Sequence, residues 1–314
     1  MGAETLSSRA VIGRFYKTLE QDIGKSWIGG VSNEFNSDQA SETYPWLGQV
    51  PAMREWIGGR QAKGFTENGI TIVNKHYEAT LEILVREMRR DKTGQLNARV
   101  DEFAQRANSH WASLLSTLII NGESTACYDG QYFFDTDHSE GDSGTQSNDL
   151  SIDISALATS AHGSTTAPSP GEMQQVILQT VQAIYGFKDD RGEPFNENAS
   201  SFLIMTPISL MNVALAAVAL PMIDNGNSNV IPSADFKLAV VPNARLTWTD
   251  KIAVFRTDGY IKPFIRQQET PVSLKVMAEG SQVEFERDAH QYGIDTWRNV
   301  GYGLWAHSCL ATMT

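Results

Sequence analysis

Apolar residues recur at Leu96, Val100, Phe103, Ala107, Trp111, Leu114 and Leu118, at separations of four, three, four, four, three and four. That period belongs to one face of an α-helix, with polar residues on the other. It predicts a long helix over residues 95–121, ended by Gly122. Just upstream the period changes to two. Tyr77, Ala79, Leu81, Ile83 and Val85 alternate with Glu78, Thr80, Glu82, Leu84 and Arg86, which predicts a half-buried strand. Asn68-Gly69, ahead of Ile70 to Val73, predicts a hairpin turn.

Further along, Ser169-Pro170-Gly171-Glu172 has the spacing of a capping box with proline at the first helical position. A second helix is expected from there to Gly186. Asp189 to Gly192 reads as a turn. Phe202 to Met205 and Phe236 to Val241 are continuous apolar runs of the kind found in strands covered on both faces. Thr206-Pro207 is expected to cap a third helix through Leu220, before a polar loop from Asp224 to Asn229. Asp258-Gly259 predicts a hairpin between IAVFR and YIKPFIRQ. The segment from Tyr132 to Thr166 is rich in Asp, Ser and Gly and reads as loop. Long helices beside antiparallel strands make the class α+β.

The first third is different. Phe15, Leu19 and Ile23 hint at a short helix, but Gly13, Gly24, Gly29 and Gly30 interrupt the segment, which reads as an extended arm. YPWLGQVPAMREWIGG follows, an aromatic connector holding Trp46 and Trp56 and punctuated by proline and glycine. Arm, connector and hairpin are expected to be unable to cover their apolar faces within one subunit. For the face carrying Ile83 and Val85, the expected cover is a neighbouring copy.

Composition narrows the function classes. The longest apolar run, Ile208 to Leu220, is interrupted by Asn212 and too short to span a membrane, and the N-terminus has no secretion signal. Cys127 and Cys309 are too few for a disulfide framework and are expected to pack as small apolar groups in a reducing compartment. The net charge is −12, and residues 93–314 hold all of the excess, with thirteen bases against twenty-five acids. Such a surface repels phosphate, so direct nucleic-acid binding is not expected.

Asp135-Thr136-Asp137-His138 is the most site-like string, since two carboxylates and an imidazole could hold a metal or move protons. As a calcium loop it fails twice, with Glu140 where glycine is required and Gln146 where glutamate is required. A hydrogen-bonded turn is the favoured reading. No phosphate loop, nucleophile elbow, dinucleotide turn or HExxH motif is present. No catalytic, cofactor-binding or metal residue is therefore assigned.

The strings WIGGRQAKGF, FFDTDH, YIKPFIRQQE and YGIDTWRNVGYGLW, in this order and spacing, resemble the Mu-like major head subunit of tailed phages. The resemblance implies the tailed-phage major capsid fold. Residues 1–45 would form an N-terminal arm, 46–92 an extended hairpin loop, and 93–149 a peripheral domain with the spine helix at 94–122. Residues 150–255 would form most of an axial domain, 256–302 would return to the peripheral domain, and 303–314 would close the axial domain. It implies a structural protein without catalysis or cofactor, assembling as hexamers and pentamers of an icosahedral shell. Scaffold, protease and portal proteins would assist in the bacterial cytoplasm, and double-stranded DNA would be enclosed without specific binding. Some proteins of this fold crosslink a loop lysine, and Lys63 and Lys75 lie in the loop here, without an identifiable partner asparagine. Three other readings remain: a cellular nanocompartment of the same fold, a metal-dependent enzyme using Asp135, Asp137 and His138, and a tail-tube or adhesin protein made of strands throughout.

Overall fold

The computed structural model describes residues 8–21, 27–44, 69–91, 94–223 and 226–314. Ile23, Gly24, Trp46, Trp56, Lys63 and Asn68 lie outside them, so the connector and the turn at Asn68-Gly69 are not described.

The chain opens with α1 (Ser8–Leu19), α2 (Ile28–Val31), β1 (Ser32–Asn36) and β2 (Ser41–Tyr44). It continues with β3 (Ile70–Val73), β4 (Lys75–Leu84), α3 (Val85–Arg90) and α4 (Gln95–Ile120). The strand and the long helix thus both form where the sequence places them, except that Val85 and Arg86, expected to continue the strand, open α3. Phe103, Leu114 and Leu118 are only half-buried, whereas Ala104, Leu115 and Ile119 are fully buried. The covered stripe is shifted by one residue at those positions, where the neighbouring β-sheet and helices set which side of α4 they cover. Gly122 ends the helix by packing: a Cβ on it would stand 2.5 Å from the Phe134 ring.

Beyond α4 come β5 (Asp149–Ile152), α5 (Pro170–Gly186), β6 (Ser201–Thr206), α6 (Met211–Ala219), β7 (Met222–Ile223) and β8 (Asn227–Ser228). The remaining elements are β9 (Lys237–Pro242), β10 (Lys251–Arg256), β11 (Phe264–Met277), α7 (Gln282–Arg287), β12 (Ala289–Tyr302) and β13 (Ser308–Met313). β5 lies within the stretch read as loop. The capping box is present: Ser169 Oγ accepts from Glu172 N, and Glu172 Oε2 accepts from Ser169 N at 2.7 Å.

Two sheets carry the fold. One has the order β1-β11-β12-β4, with β1 parallel to β11 and the other pairs antiparallel. The other has the order β5-β13-β10-β6-β9. β6 and β10 are buried over most of their length, as the run Phe202 to Met205 predicts. β9 is instead an edge strand, parallel to β6, with its residues exposed or half-buried, so the expectation of full cover is corrected. Thr206 does not cap a helix: it ends β6, its hydroxyl is buried without a partner among the described residues, and a short 3-10 turn precedes α6.

Asp258-Gly259 is not a hairpin either. β10 belongs to the five-stranded sheet and β11 to the four-stranded one, so the pair marks a crossing between sheets. Gly259 is needed there because a Cβ would lie 2.7 Å from the His307 ring. The true hairpin joins β11 to β12 around α7, with Gly280 and Asp288 both at positive φ.

Two cores result. The larger fills the space around β6, β10, β13, α5 and the C-terminal half of α4, and the smaller joins α1, β4, β12 and the N-terminal half of α4. This corrects the expectation of missing cover for α1 and for the strand carrying Ile83, while the connector lies outside the described residues. Val11 and Phe15 of α1 are buried against α4, and Ile83 and Val85 are buried within the chain. β4 pairs with β12 in place of forming a free-standing ribbon, which is why its apolar face needs no neighbour.

Candidate functional site

β2 and β3 form a separate two-stranded ribbon, Ser41 opposite Val73 and Tyr44 opposite Ile70, and residues 45–68 connect its strands. A polar node holds the ribbon's base. The Tyr44 hydroxyl donates to Gln267 Oε1 at 2.8 Å, and the Gln267 amide donates to Asn74 Oδ1 at 2.8 Å and to the Ile72 carbonyl at 3.2 Å. Gln267 is wholly buried, so each of these bonds forms where an unpaired polar group would cost about 1 to 3 kcal/mol. Ile72 lies against Gly301 of β12 so closely that a Cβ there would fall 2.4 Å from its side chain.

The middle of α4 faces β11 and β12 through Trp111, which is buried as expected. The guanidinium groups of Arg298 and Arg266 lie 4.7 and 5.5 Å from its ring centre. Between residues 208 and 230 large apolar side chains are left uncovered: Ile208, Leu215, Leu220, Met222 and Val230, with Met222 61% exposed. Exposure of that kind marks a surface made for contact. Phe285 and Met277 project from the far end of the β11–β12 hairpin.

Asp135, Asp137 and His138 do not converge. Asp137 is exposed. Asp135 turns back on its own loop, accepting from Tyr132 N at 3.0 Å and Thr136 N at 2.7 Å. His138 is fully buried and stacks on Trp305 at 4.0 Å between ring centres. Its Nδ1 lies 2.7 Å from Asp129 Oδ2 and its Nε2 3.2 Å from Asn148 Oδ1. Asn148 is itself fixed, accepting from Asp135 N and donating to the Phe133 carbonyl. Spacings of nine and ten residues within irregular chain left no periodic signal for Asp129 or Asn148.

Cys127 completes the group, its thiol donating to Asp129 Oδ1 at 2.9 Å. One ligand atom each from Cys127, Asp129 and His138 lie within 4.8 Å of one another, close enough for a cation to bridge. The chemistry argues for a hydrogen-bonded staple instead. Burial and the Asp129 charge push the thiol well up, whereas metal binding and nucleophilic attack both need thiolate. Burial would raise the Asp129 carboxyl, but the hydrogen bonds from His138 and Cys127 outweigh it and hold the group low. The thiol bonds to the carboxylate and not to the imidazole, so no relay activates it. Both cysteines are free and buried.

The family described as Mu-like prophage major head subunit gpT matches residues 8–159 and 249–313, more than half of the chain. The Mu-like prophage FluMu major head subunit of Haemophilus influenzae is 34% identical over 146 residues, 46% of this chain and 47% of that protein. The major capsid protein of Escherichia phage Mu is 35% identical over 103 residues, 33% of this chain and 34% of that one. The alignments thus span half or less of these relatives. Among solved structures, the procapsid of bacteriophage JBD30 is similar with a TM-score of 0.54 and 22% identity, over 98% of this chain and 75% of that one. A virus-like particle from Pyrococcus furiosus is similar with a TM-score of 0.51 and 10% identity, over 96% and 97% of the two chains. At these identities the likeness shows the fold, and it is the α+β capsid fold expected from the resemblance.

Proposed function

The chain belongs to the Mu-like prophage major head subunit family, and on that premise we propose that many copies of it close into the shell of a tailed-phage head. Hexamers and pentamers would tile that shell in the virion, enclosing double-stranded DNA without binding it specifically. Assembly in the bacterial cytoplasm would draw on scaffold, protease and portal partners. The observation that carries the reading is the set of exposed large apolar side chains between Ile208 and Val230, which a lone subunit would leave in water and a ring of copies would cover.

The two sheets support the proposed division of labour. The β1-β11-β12-β4 sheet with α4 would be the peripheral domain, and the β5-β13-β10-β6-β9 sheet with α5 and α6 the axial one. Residues 45–68, between the ribbon's strands, would form the extended loop that reaches a neighbour, a shorter span than the 46–92 expected because β3 and β4 pair within the chain. The nanocompartment reading uses the same fold, and the family match favours the phage head over it. The enzyme reading loses its site, because Asp135 and Asp137 do not meet His138. Strands throughout, as a tail tube demands, do not accommodate the long α4.

Electron microscopy and circular dichroism of one variant test the proposal. Replacing residues 45–68 with a short Gly-Ser linker leaves β2, β3 and Ile72 in place. The subunit should fold and melt cooperatively while shells fail to form. Normal shells would show the loop assignment to be wrong, and loss of fold would place residues 45–68 in the core.

A further inference from the structure

Arg298, near the middle of β12, is 3% exposed and has no carboxylate within ion-pair distance among the described residues. Nearby Arg266, by contrast, pairs with Glu34 at 2.6 Å. A guanidinium presents five N–H donors. Arg298 uses two of them: Nε donates to His110 Nδ1 at 3.0 Å, and Nη2 donates to the Ala107 carbonyl at 3.2 Å. Burying a cation without a counter-charge is unfavourable, and stacking on Trp111 offsets only part of that. The remaining donors belong to a side chain that borders two cavities beside α4, of about 440 and 310 Å³.

The smaller cavity has the makings of a site. His110 and Tyr77 line it, their rings 4.4 Å apart. Because His110 Nδ1 accepts from Arg298, a neutral ring carries its proton on Nε2 and offers a second donor. Burial and the nearby Arg298 and Arg245 charges keep that ring neutral by lowering it to about 4. The Tyr77 hydroxyl has no hydrogen-bond partner among the described residues. Phe103, Val272 and Ile294 supply apolar wall. The other charged residues that line it are already partnered: Asp295 is held by Lys275 at 2.7 Å and Ser273 at 2.6 Å, Glu78 accepts from Thr80, and Arg106 pairs with Glu102 at 3.3 Å.

We propose that this cavity is a binding site for a carboxylate on a short apolar stem, its oxygens taken by Arg298, His110 and Tyr77. One buried cation with two neutral donors matches a monoanion, and a planar guanidinium matches the carboxylate plane. A phosphate dianion would bring more charge than the site balances. The same chemistry has two sources, a small free carboxylic acid or an aspartate or glutamate side chain of an adjoining copy.

The test is titration of the purified full chain with butyrate, against butyramide as the uncharged shape and sodium chloride as the ionic control. Butyrate should raise the thermal midpoint saturably, while butyramide and salt at equal concentration do not. Arg298→Met should abolish the response, and His110→Gln should weaken apparent affinity about tenfold, in line with loss of one strong hydrogen bond. Arg298→Lys, which keeps the charge and loses the fork, serves if the methionine variant does not fold, and it too should lose at least about tenfold. In assembled particles, butyrate that loosens the shell would identify a neighbour's side chain as the natural occupant. Butyrate that binds without disturbing the shell would identify a free acid. No saturable response, or an equal response in the Arg298 variants, overturns the site.

Discussion

The two ends of α4 belong to different kinds of interior. Around its C-terminal half, Leu115 and Ile119 join a core in which Ile204, Val254, Phe255 and Leu310 are wholly enclosed and β6 and β10 are covered on both faces. Around its N-terminal half, Leu96 and Val100 join a thin layer with Val11, Phe15 and Ile83, half-buried Phe103 closes the edge, and two cavities open alongside. The difference teaches where rigidity is placed. The five-stranded side has the dense interdigitation that makes one packing unique. The four-stranded side spreads two fourteen-residue strands, β11 and β12, under a single layer of helices.

The contrast can be broken most directly by truncating one ring on each side. Phe255→Ala, in the dense core, should cost about 3 to 5 kcal/mol, a large fraction of a typical domain's stability. Phe103→Ala, at the rim of the thin core, should cost about half as much, and equal losses in chemical denaturation would erase the distinction. Next in size is a pH effect at the junction of the sheets, where burial lowers His307 from 6.5 to about 4. Between those values the unfolded chain binds a proton that the folded chain does not. Stability should therefore fall as pH drops from about 6.5 towards 4, by up to about 3 kcal/mol. His307→Asn should flatten that slope in melts recorded across the range, and an unchanged slope would assign the loss to other groups.

Smaller effects sharpen the same contrast. Ser169→Ala removes the cap of α5 and should cost about 1 kcal/mol. Asp101→Asn on the thin side breaks the paired hydrogen bonds from Arg14 between α4 and α1, at a partly exposed site, and should cost under about 1 kcal/mol. If the Asp101 change proved the larger in thermal melts, α1 would be held by charge more than by Val11 and Phe15.

Legibility in the sequence followed the range of the interactions. The helix marked by Leu96 to Leu118, the alternation from Tyr77 to Leu84, and Ser169 with Glu172 all depend on neighbours within a few residues; each element is found where the pattern puts it, although the buried stripe of the helix is shifted by one residue in places and Val85 already opens α3. The run Phe202 to Met205 was readable because cover on both faces leaves no polar position. Phe236 to Val241 has the same look and lies at an edge, since edge or centre is decided by a strand far away in sequence. Asp258-Gly259 has hairpin chemistry, yet the close approach of His307 is what requires the glycine. The cover over Ile83 was hidden for the same reason: it comes from α1 and α4, and a strand cannot announce which helix will lie on it. His138 was legible as unusual, but its partners Asp129 and Asn148 were set by tertiary folding alone.

The place of β13 in the five-stranded sheet has a consequence for synthesis on the ribosome. β13 sits between β5 and β10, parallel to the first and antiparallel to the second, although β5 is made some 160 residues earlier. Until residues 308–313 emerge, β10 has a bare edge and β5 has no strand beside it. An open apolar edge is a template for pairing with the wrong chain, and long-range closure of this kind is slow. Every nascent chain therefore passes through an interval in which its densest core is unfinished and that edge lies open to mispairing.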